Sequence, residues 1–310
     1  MKRIILATAG VGLVAVCTAA IGLAQPSATT TTGPTAAAKA EATPKLPPLP
    51  AEIKSRKRFN VGVKCDAVPF GYTNALGKNA GFDVDIAKWF ARYAFGTAQR
   101  VSFFCAPTPA REPLLTTNRV DLVISTFTYT TDRDTRIDFS RAYFKSTGRL
   151  LVKNDSAIKT LNDIRGKKIA TTTGSIYDRW MKRCFPTTEV LVADTITSAL
   201  LSFNQGRADA VMFDDTVLAG QAAADQSAKL TNDKFLALPY GIGIKQGNVA
   251  LKKWVDSRLE LMRKKDTFFS ILKANIAPRF VPGFSDSILR PKVTFGYAAP
   301  GTPSADTVCP

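Results

Sequence analysis

Strand-like and helix-like segments alternate along this chain in two separate blocks, and this alternation limits the folds that it can adopt. In the first block the strand-like runs FNVGVK and RVSFFCA flank residues 83–95, whose apolar side chains recur at helical spacing. A strand-like run, VDLVIS, continues that block, and residues 168–213 repeat the pattern. Such β-α-β alternation is typical of parallel sheets covered by helices. The sequence therefore predicts an α/β fold of two lobes.

Two extended segments are expected to connect the lobes. Residues 142–153 separate the two blocks and are expected to pass from lobe 1 to lobe 2. Residues 239–245 are expected to be the second segment that crosses between the lobes. We expect lobe 1 to comprise residues 58–147 and 241–280, and lobe 2 to comprise residues 148–240. After the second crossing, an apolar stripe on a long helix is expected to pack in the core.

The ends of the chain differ in composition from the middle. Lys2 and Arg3 precede an uncharged apolar run, residues 4–24, which has the layout of a secretory signal peptide. We expect cleavage after Ala24, with a retained anchor or a lipid anchor at Cys17 as alternatives. Residues 25–57 are expected to form a disordered linker rich in Pro, Ala and Thr, and residues 281–310 a C-terminal tail. The predicted location is extracellular or periplasmic, at the outer face of the cytoplasmic membrane.

The cysteines and the absence of histidine restrict the chemistry. Apart from Cys17 there are four cysteines, an even number that favours disulfides in an exported protein: Cys65, Cys105, Cys184 and Cys309. Three pairings are possible, and we prefer Cys65 with Cys105, which leaves Cys184 with Cys309. The chain has no histidine, which excludes Ser-His-Asp catalysis and histidine zinc sites. We expect no metal and no cofactor.

The net charge of +17 comes from dispersed Lys and Arg residues, without a nucleic-acid-binding motif. We therefore expect no nucleic-acid partner, and interpret the charge as attraction to an anionic cell surface.

A candidate anion-binding segment, TFTYTTDR, directly follows the strand-like run VDLVIS. It places Thr126, Thr128 and Arg133 beyond the carboxyl end of a strand, where ligands bind in open α/β sheets. A guanidinium can bind a carboxylate through two parallel hydrogen bonds. The alternative is a surface turn with a solvated arginine.

Four segments in the same order resemble the bacterial extracellular solute-binding proteins that serve polar amino-acid uptake. They read GFDVDIAKWFARYA, VDLVISTFTYTTDRDTRIDFS, GRADAVMFDD and YGIGIKQGN, within a resemblance that spans residues 58–276. The resemblance implies a two-lobed, type II periplasmic-binding-protein-like fold, with a mostly parallel sheet in each lobe. It also implies a monomer that captures a free amino acid and delivers it to the permease and ATPase subunits of an ABC importer.

The same resemblance implies roles for individual residues. Arg133 would bind the ligand α-carboxylate, assisted by Thr128 and Thr126, and Asp214 would accept the α-ammonium. Ser175 would offer its hydroxyl and the amides of a helix start. As an alternative, Asp214 would only cap the next helix.

Two cations match family positions near the ligand side chain. Lys64 and Arg111 could together neutralise a side-chain carboxylate, so glutamate is predicted first, aspartate second and glutamine third. Phe70 would form an aromatic wall or belong to the core. The alternative for the cations is a solvated Lys64 and an Arg111 paired with Glu112.

Two other functions are compatible with the resemblance. Cyclohexadienyl dehydratases use the same fold with a carboxyl general acid, for which Glu112 is the candidate here. An extracellular amino-acid sensor would differ only in its partner. We consider a binding protein without enzymatic activity the better interpretation.

Overall fold

The computed structural model describes residues 46–299 and 302–310. The expected signal peptide, Cys17 and most of the expected linker lie outside these residues. Within the described part of the chain, no helix is long and apolar enough to span a membrane.

Lobe 1 is built on a five-stranded sheet with the strand order β5-β1-β6-β14-β7. Its strands are β1 (Phe59–Val63), β5 (Val101–Cys105), β6 (Leu122–Ile124), β7 (Ile137–Phe139) and β14 (Gly243–Lys245). β1 pairs in parallel with β5 and β6, whereas β14 is antiparallel to β6 and β7. A small antiparallel sheet follows β1, with strands β2 (Asp66–Ala67), β3 (Gly71–Thr73) and β4 (Asn79–Ala80).

Lobe 2 is built on a second sheet with the order β10-β9-β11-β8-β12, in which β13 also pairs with β8. The strands are β8 (Phe144–Lys153), β9 (Lys168–Thr172), β10 (Glu189–Ala193), β11 (Ala210–Asp214), β12 (Ala228–Leu230) and β13 (Phe235–Tyr240). β9 is parallel to β10 and β11, and β8 is antiparallel to its neighbours.

The expected two-lobed α/β fold is therefore confirmed. Among the described strands, only β14 in the first sheet and β8 in the second run against the other strands of their sheet, so each sheet is mixed but mostly parallel in strand direction. Each reversed strand is the one that the chain enters directly after passing from the other lobe, without a crossover helix.

Helices cover both sheets. The longer ones are α2 (Phe82–Phe95), α5 (Ile176–Cys184), α6 (Ile196–Asn204), α7 (Asp215–Ala224), α8 (Val249–Lys264) and α9 (Thr267–Asn275). Short helices are α1 (Ala51–Arg56), α3 (Arg111–Thr116), α4 (Thr131–Asp134) and α10 (Val281–Phe284). The expected stripe on α8 is buried: Leu251, Trp254, Val255, Leu259 and Met262.

The chain crosses between the lobes at residues 140–143 and 241–242. The two crossings are hydrogen-bonded to each other: the amide of Tyr143 donates to the carbonyl of Tyr240 at 3.0 Å, and the amide of Ser140 to that of Ile242 at 2.9 Å. Most of the extended segment expected to connect the lobes is β8, which belongs to the second sheet. The exact residue boundaries of the lobes stay a prediction.

The folded part begins earlier than expected. α1 lies within the expected linker, and its Ile53 is buried against the core. Arg56 of the same turn pairs with Asp121 of lobe 1. Both contacts are long-range, so the local composition, which is that of a linker, did not indicate them.

The C-terminal segment returns to lobe 2. Cys184 on α5 pairs with Cys309, and Cys65 pairs with Cys105. Nε1 of Trp180 donates to the carbonyl of Val308 at 2.8 Å. Both preferred disulfide pairings are thus present in the structure.

Candidate functional site

The carboxyl ends of four central strands face one cleft between the lobes. Lys64 directly follows β1, Thr126 lies two residues after β6, Thr172 ends β9, and Asp214 ends β11. Parallel strands that share a sheet end at the same edge, which is where ligands bind in open α/β folds.

Several hydrogen bonds join the lobes across this cleft. Oγ1 of Thr172 donates to Oγ1 of Thr108 at 3.1 Å, and the amide of Ile196 donates to Oδ2 of Asp66 at 2.8 Å. An ion pair between Arg179 on α5 and Asp132 on α4 adds a contact of 3.0 Å. The structure therefore holds the two lobes in a closed arrangement.

Lys64 is fully buried at the lobe 1 side of the cleft. Its Nζ donates to Oγ1 of Thr108 at 2.7 Å and lies 5.9 Å from the ring centre of Phe213 in lobe 2. Burial lowers the pKa of Lys64 to about 8, against a partial opposing effect of the Asp66 carboxylate. The alternative of a solvated lysine is wrong, because the side chain has no exposed surface.

Arg111 is the second buried cation. Its Nε donates to the carbonyl of Thr108 at 3.1 Å, and its Nη1 to that of Thr126 at 3.0 Å. Burial lowers the pKa of Arg111 to about 10, so the side chain is charged at neutral pH. Arg111 does not pair with Glu112, which instead accepts from Nε of Arg136 at 2.8 Å.

Arg133 lies on α4 with its guanidinium buried between the lobes. Its Nη1 donates to the carbonyl of Thr128 at 2.7 Å, and its Nη2 to that of Gly174 in lobe 2 at 3.1 Å. Among residues 46–299 and 302–310, Nε has no hydrogen-bond partner, and it lies 3.6 Å from a Glu112 oxygen. Burial, and then repulsion by Arg111, lower the pKa of Arg133.

The two arginines lie close together on one aromatic ring. The guanidinium carbons of Arg111 and Arg133 are 4.5 Å and 5.2 Å from the ring centre of Phe127. A ring face attracts cations, which partly offsets the repulsion between the two guanidiniums. An anion bound between them would offset it further.

Thr126 has an unusual backbone conformation that Asp83 supports. Its φ of +43° lies in the left-handed region, which is uncommon for a β-branched residue. Oδ2 of Asp83 accepts from the Thr126 amide at 2.8 Å, and Oδ1 accepts from the Tyr143 hydroxyl at 2.8 Å. The Thr126 hydroxyl is buried and finds no hydrogen-bond partner in the described part of the chain. Burial raises the pKa of Asp83 to about 7, and the two hydrogen bonds partly oppose this shift.

Asp214 lies at the opposite side of the cleft, at the end of β11, and is buried. It occupies the cap position of α7, yet its side chain makes no capping hydrogen bond. Oδ1 accepts instead from the hydroxyl of Tyr177 at 2.6 Å. The alternative of a helix-capping aspartate is therefore wrong. Burial raises the pKa of Asp214, and the hydrogen bond from Tyr177 lowers it.

Ser175 caps α5, since its Oγ accepts from the Asp178 amide at 3.1 Å. Oδ2 of Asp178 accepts from the amide of Gly174 at 3.1 Å rather than from that of Ser175, so the two side chains form half of a capping box. The start of α5 therefore faces the cleft next to Arg133.

Phe70 belongs to an aromatic cluster at the crossings between the lobes. Its ring packs edge-on against Phe144 at 4.9 Å and Tyr240 at 5.7 Å between ring centres. This packing gives Phe70 a role in the core, and its contact with a ligand stays a prediction.

Five further residues of this cleft were not predicted from the sequence. Each is a hydrogen-bond partner of a residue named above: Asp83, Thr108, Tyr143, Thr172 and Tyr177. Only Asp83 carried a signal in the sequence, as a carboxylate between the apolar Phe82 and Val84. Among the described residues, no group of three or more His, Cys, Asp or Glu could hold a metal ion.

Comparison with known proteins identifies the family. The family model of the bacterial extracellular solute-binding proteins, family 3, matches residues 59–276. This chain belongs to that family. The match covers both lobes and all of the cleft residues described above.

Curated relatives and solved structures of family members agree with this assignment. The ABC transporter glutamine-binding protein GlnH of Bacillus subtilis is 32% identical over 225 residues, which cover 72% of this chain and 82% of the relative. A glutamine-binding protein of Geobacillus stearothermophilus is 34% identical over 62% of this chain and 74% of its own length. The solute receptor for L-cysteine of Neisseria gonorrhoeae superposes with a TM-score of 0.72 and 26% identity, covering 74% of this chain and 94% of that structure.

Proposed function

We propose that this protein captures a free acidic amino acid between its lobes and delivers it to the permease and ATPase subunits of an ABC importer. Glutamate is the first candidate ligand, aspartate the second and glutamine the third. We propose that the protein works as a monomer at the outer face of the cytoplasmic membrane. The observation that carries the proposal is the set of three buried cations in the cleft, Lys64, Arg111 and Arg133.

The α-ammonium and α-carboxylate of the ligand have complementary partners. Asp214 is buried with one oxygen bound by Tyr177, which leaves its other oxygen for an ammonium group. Arg133 has an uncommitted Nε, and the Thr126 hydroxyl is also uncommitted. Buried charges are stable only when paired, and a zwitterion would pair both ends. Thr128 and Ser175 are proposed to complete the carboxylate end.

The charge balance of the cleft favours a ligand with a net negative charge. The buried carboxylates of the cleft are Asp83 and Asp214, and the partly exposed Glu112 lies 3.6 Å from Arg133. Within the described part of the chain, neither Lys64 nor Arg111 has a carboxylate at ion-pair distance, and a neutral zwitterion adds one charge of each sign and leaves both without one. Glutamate or aspartate adds one further negative charge, which would lie between Lys64 and Arg111.

Glutamine is the ligand in the names of two relatives, so it is the main alternative among the uncharged amino acids. Lys64 and Arg111 carry only hydrogen-bond donors. A carboxylate only accepts hydrogen bonds, whereas an amide also has two donors that would meet these cations. The difference favours glutamate at this end of the cleft.

The dehydratase alternative has less support. Glu112, its candidate general acid, pairs with Arg136 and lies 3.6 Å from Arg133. It is thus surrounded by cations, and no further observation favours an enzyme. The sensor alternative differs in partner and is tested separately, by the copurification of permease subunits.

Isothermal calorimetry with a panel of amino acids tests the proposal. Wild-type protein is expected to bind glutamate about tenfold more tightly than glutamine, as a paired side-chain charge predicts. Lys64→Asp should weaken glutamate binding far more than glutamine binding, because it reverses the charge opposite the side chain. Lys253→Asp, at an exposed position on α8, is the matched control. If the wild type binds glutamine or arginine more tightly than glutamate, the proposal of an acidic ligand is contradicted. The protein would then still be a binding protein, but for another amino acid.

A further inference from the structure

Thr108 lies at the centre of a hydrogen-bonded chain that crosses the cleft. Its Oγ1 accepts from Nζ of Lys64 at 2.7 Å and from Oγ1 of Thr172 at 3.1 Å. Lys64 and Thr108 belong to lobe 1, whereas Thr172 ends β9 in lobe 2. The chain therefore runs from a buried cation of one lobe to the other lobe.

All three side chains are buried, so water does not replace a lost partner. Lys64 and Thr172 have no exposed surface, and Thr108 is 6% exposed. Among residues 46–299 and 302–310, Thr108 is the only hydrogen-bond partner of the Lys64 ammonium group. A buried ammonium depends strongly on such an acceptor, because an unmade bond to a charged group is costly.

Thr108 also contacts the second cation, but through its backbone. The carbonyl of Thr108 accepts from Nε of Arg111 at 3.1 Å. A change of the Thr108 side chain therefore affects Lys64 and leaves the Arg111 contact in place. This separation makes the role of the hydroxyl measurable.

A threonine oxygen accepts two hydrogen bonds at most, and both positions are taken here. The position of the Lys64 ammonium is thus coupled to that of Thr172. When the lobes separate, Thr172 leaves with lobe 2, and Thr108 keeps only its bond to Lys64. The arrangement around Lys64 is complete only when the lobes are closed.

We propose that Thr108 is a positioning residue that determines the preference for a side-chain carboxylate, by holding Lys64 in place when Thr172 closes over it. The inference rests on the proposed function, because it assumes that Lys64 faces the ligand side chain. Discrimination between glutamate and glutamine is then exerted mainly in the closed complex, and differences in affinity come from dissociation rates.

Four variants test the inference by calorimetry and stopped-flow dissociation. Thr108→Val removes the oxygen at nearly constant volume, and Thr108→Ser keeps it. Thr172→Val removes the contact from lobe 2 alone. Thr188→Val is the matched control, since Thr188 is a buried threonine of lobe 2 whose hydroxyl donates to the carbonyl of Ile164 at 2.9 Å, away from the cleft cations.

Thr108→Val is expected to weaken glutamate binding about tenfold and glutamine binding about twofold or less, which lowers the affinity ratio. Thr108→Ser should restore the ratio to near the wild-type value. Thr172→Val should lower the ratio by a smaller factor and speed glutamate dissociation. Thr188→Val should lower the melting temperature and leave the ratio unchanged.

An unchanged ratio in Thr108→Val, or equal losses for both ligands as in a purely structural role, would overturn the inference. The wild-type ratio separately tests the proposed function. A wild type that prefers glutamine contradicts glutamate as the ligand, while the change of ratio caused by Thr108→Val still decides whether Thr108 positions Lys64.

Discussion

The hydroxyl of Tyr177 on α5 donates a hydrogen bond of 2.6 Å to Oδ1 of Asp214 at the end of β11. Both groups are buried, and the bond fixes the orientation of the carboxylate, whose other oxygen is proposed to accept from the ligand ammonium. It also favours the charged form of Asp214, against the effect of burial. Tyr177 thus supports the residue proposed to bind the α-ammonium.

Tyr177→Phe is expected to weaken binding of all amino acids by about three- to tenfold, because every ligand shares the ammonium group. The glutamate-to-glutamine ratio should not change. Loss of the hydrogen bond raises the pKa of Asp214, so the deficit should grow as the pH falls. Calorimetry at several pH values measures this, with the exposed Tyr93→Phe as control. A deficit that is independent of pH would contradict the role in ionisation.

Arg133→Ala is expected to cost about 3–5 kcal/mol of binding free energy, since it leaves the ligand carboxylate buried without its partner. Arg133→Lys should restore only part of this loss, because an ammonium lacks the planar pair of donors. Arg92→Ala, on the exposed side of α2, is the control. Affinity within a factor of a few of the wild type would show that another residue binds the α-carboxylate.

The pKa of Lys64 predicts how glutamate binding depends on pH. In the ligand-free protein burial lowers this pKa to about 8, and a bound carboxylate would raise it again. Glutamate binding therefore takes up a proton above about pH 8, and its affinity should fall by up to about tenfold per pH unit there. Glutamine carries the same α-ammonium group as glutamate. The pH dependence of glutamine affinity therefore measures the effect of ligand titration, which can be subtracted from the glutamate data. Lys64→Gln should make the two curves parallel, and curves that already run parallel in the wild type would contradict the prediction.

Burial of Lys64 should also reduce the stability of the ligand-free protein. Its folded-state pKa lies below the ordinary value, so the unfolded state binds more protons between about pH 8 and 10.5. The contribution of Lys64 to the free energy of unfolding therefore rises with pH across that window. Below about pH 8 the side chain is charged in the folded protein, and the full cost of burying the charge is present. At pH 7, Lys64→Met should raise the free energy of unfolding by about 1–3 kcal/mol while it weakens glutamate binding. Chemical denaturation without ligand measures the first effect. An unchanged or lower stability would indicate that Lys64 is already fully compensated in the closed protein.

Because the four cysteines are paired, thiol titration should detect almost no free thiol. The protein for this measurement is exported by its native host and denatured without a reducing agent. The double variant Cys184→Ser and Cys309→Ser should lose about 2–4 kcal/mol of stability, because this bond closes a long loop of 125 residues. It should also release the C-terminal residues from α5, which limited proteolysis detects. Titration of two or four thiols in the wild type would contradict the pairing.

The sequence alone determined the class of the fold and most of the charged residues of the cleft. Strand and helix periods are local patterns, so the β-α-β blocks, the α8 stripe and the polar residues after VDLVIS could be read directly from the chain. The short strands β2, β3, β4, β7, β12 and β13 were not predicted, because two to six residues carry little periodic signal. The ordered turn α1 was assigned to the linker because of its composition, and its buried residue, Ile53, leaves no periodic signal.

The tertiary structure alone decided which side chains are buried together. Lys64 and Arg111 could equally have been solvated, and only the closed cleft shows that they are not. Thr108 bonds to Lys64 over 44 residues of sequence and to Thr172 over 64, and Tyr177 bonds to Asp214 over 37. Such contacts leave no periodic trace, because they depend on how two sheets approach each other rather than on the neighbours of each residue. The sequence thus shows which residues are cations. Their burial and their hydrogen-bond partners, which shift their pKa values, arise only when the two lobes come together.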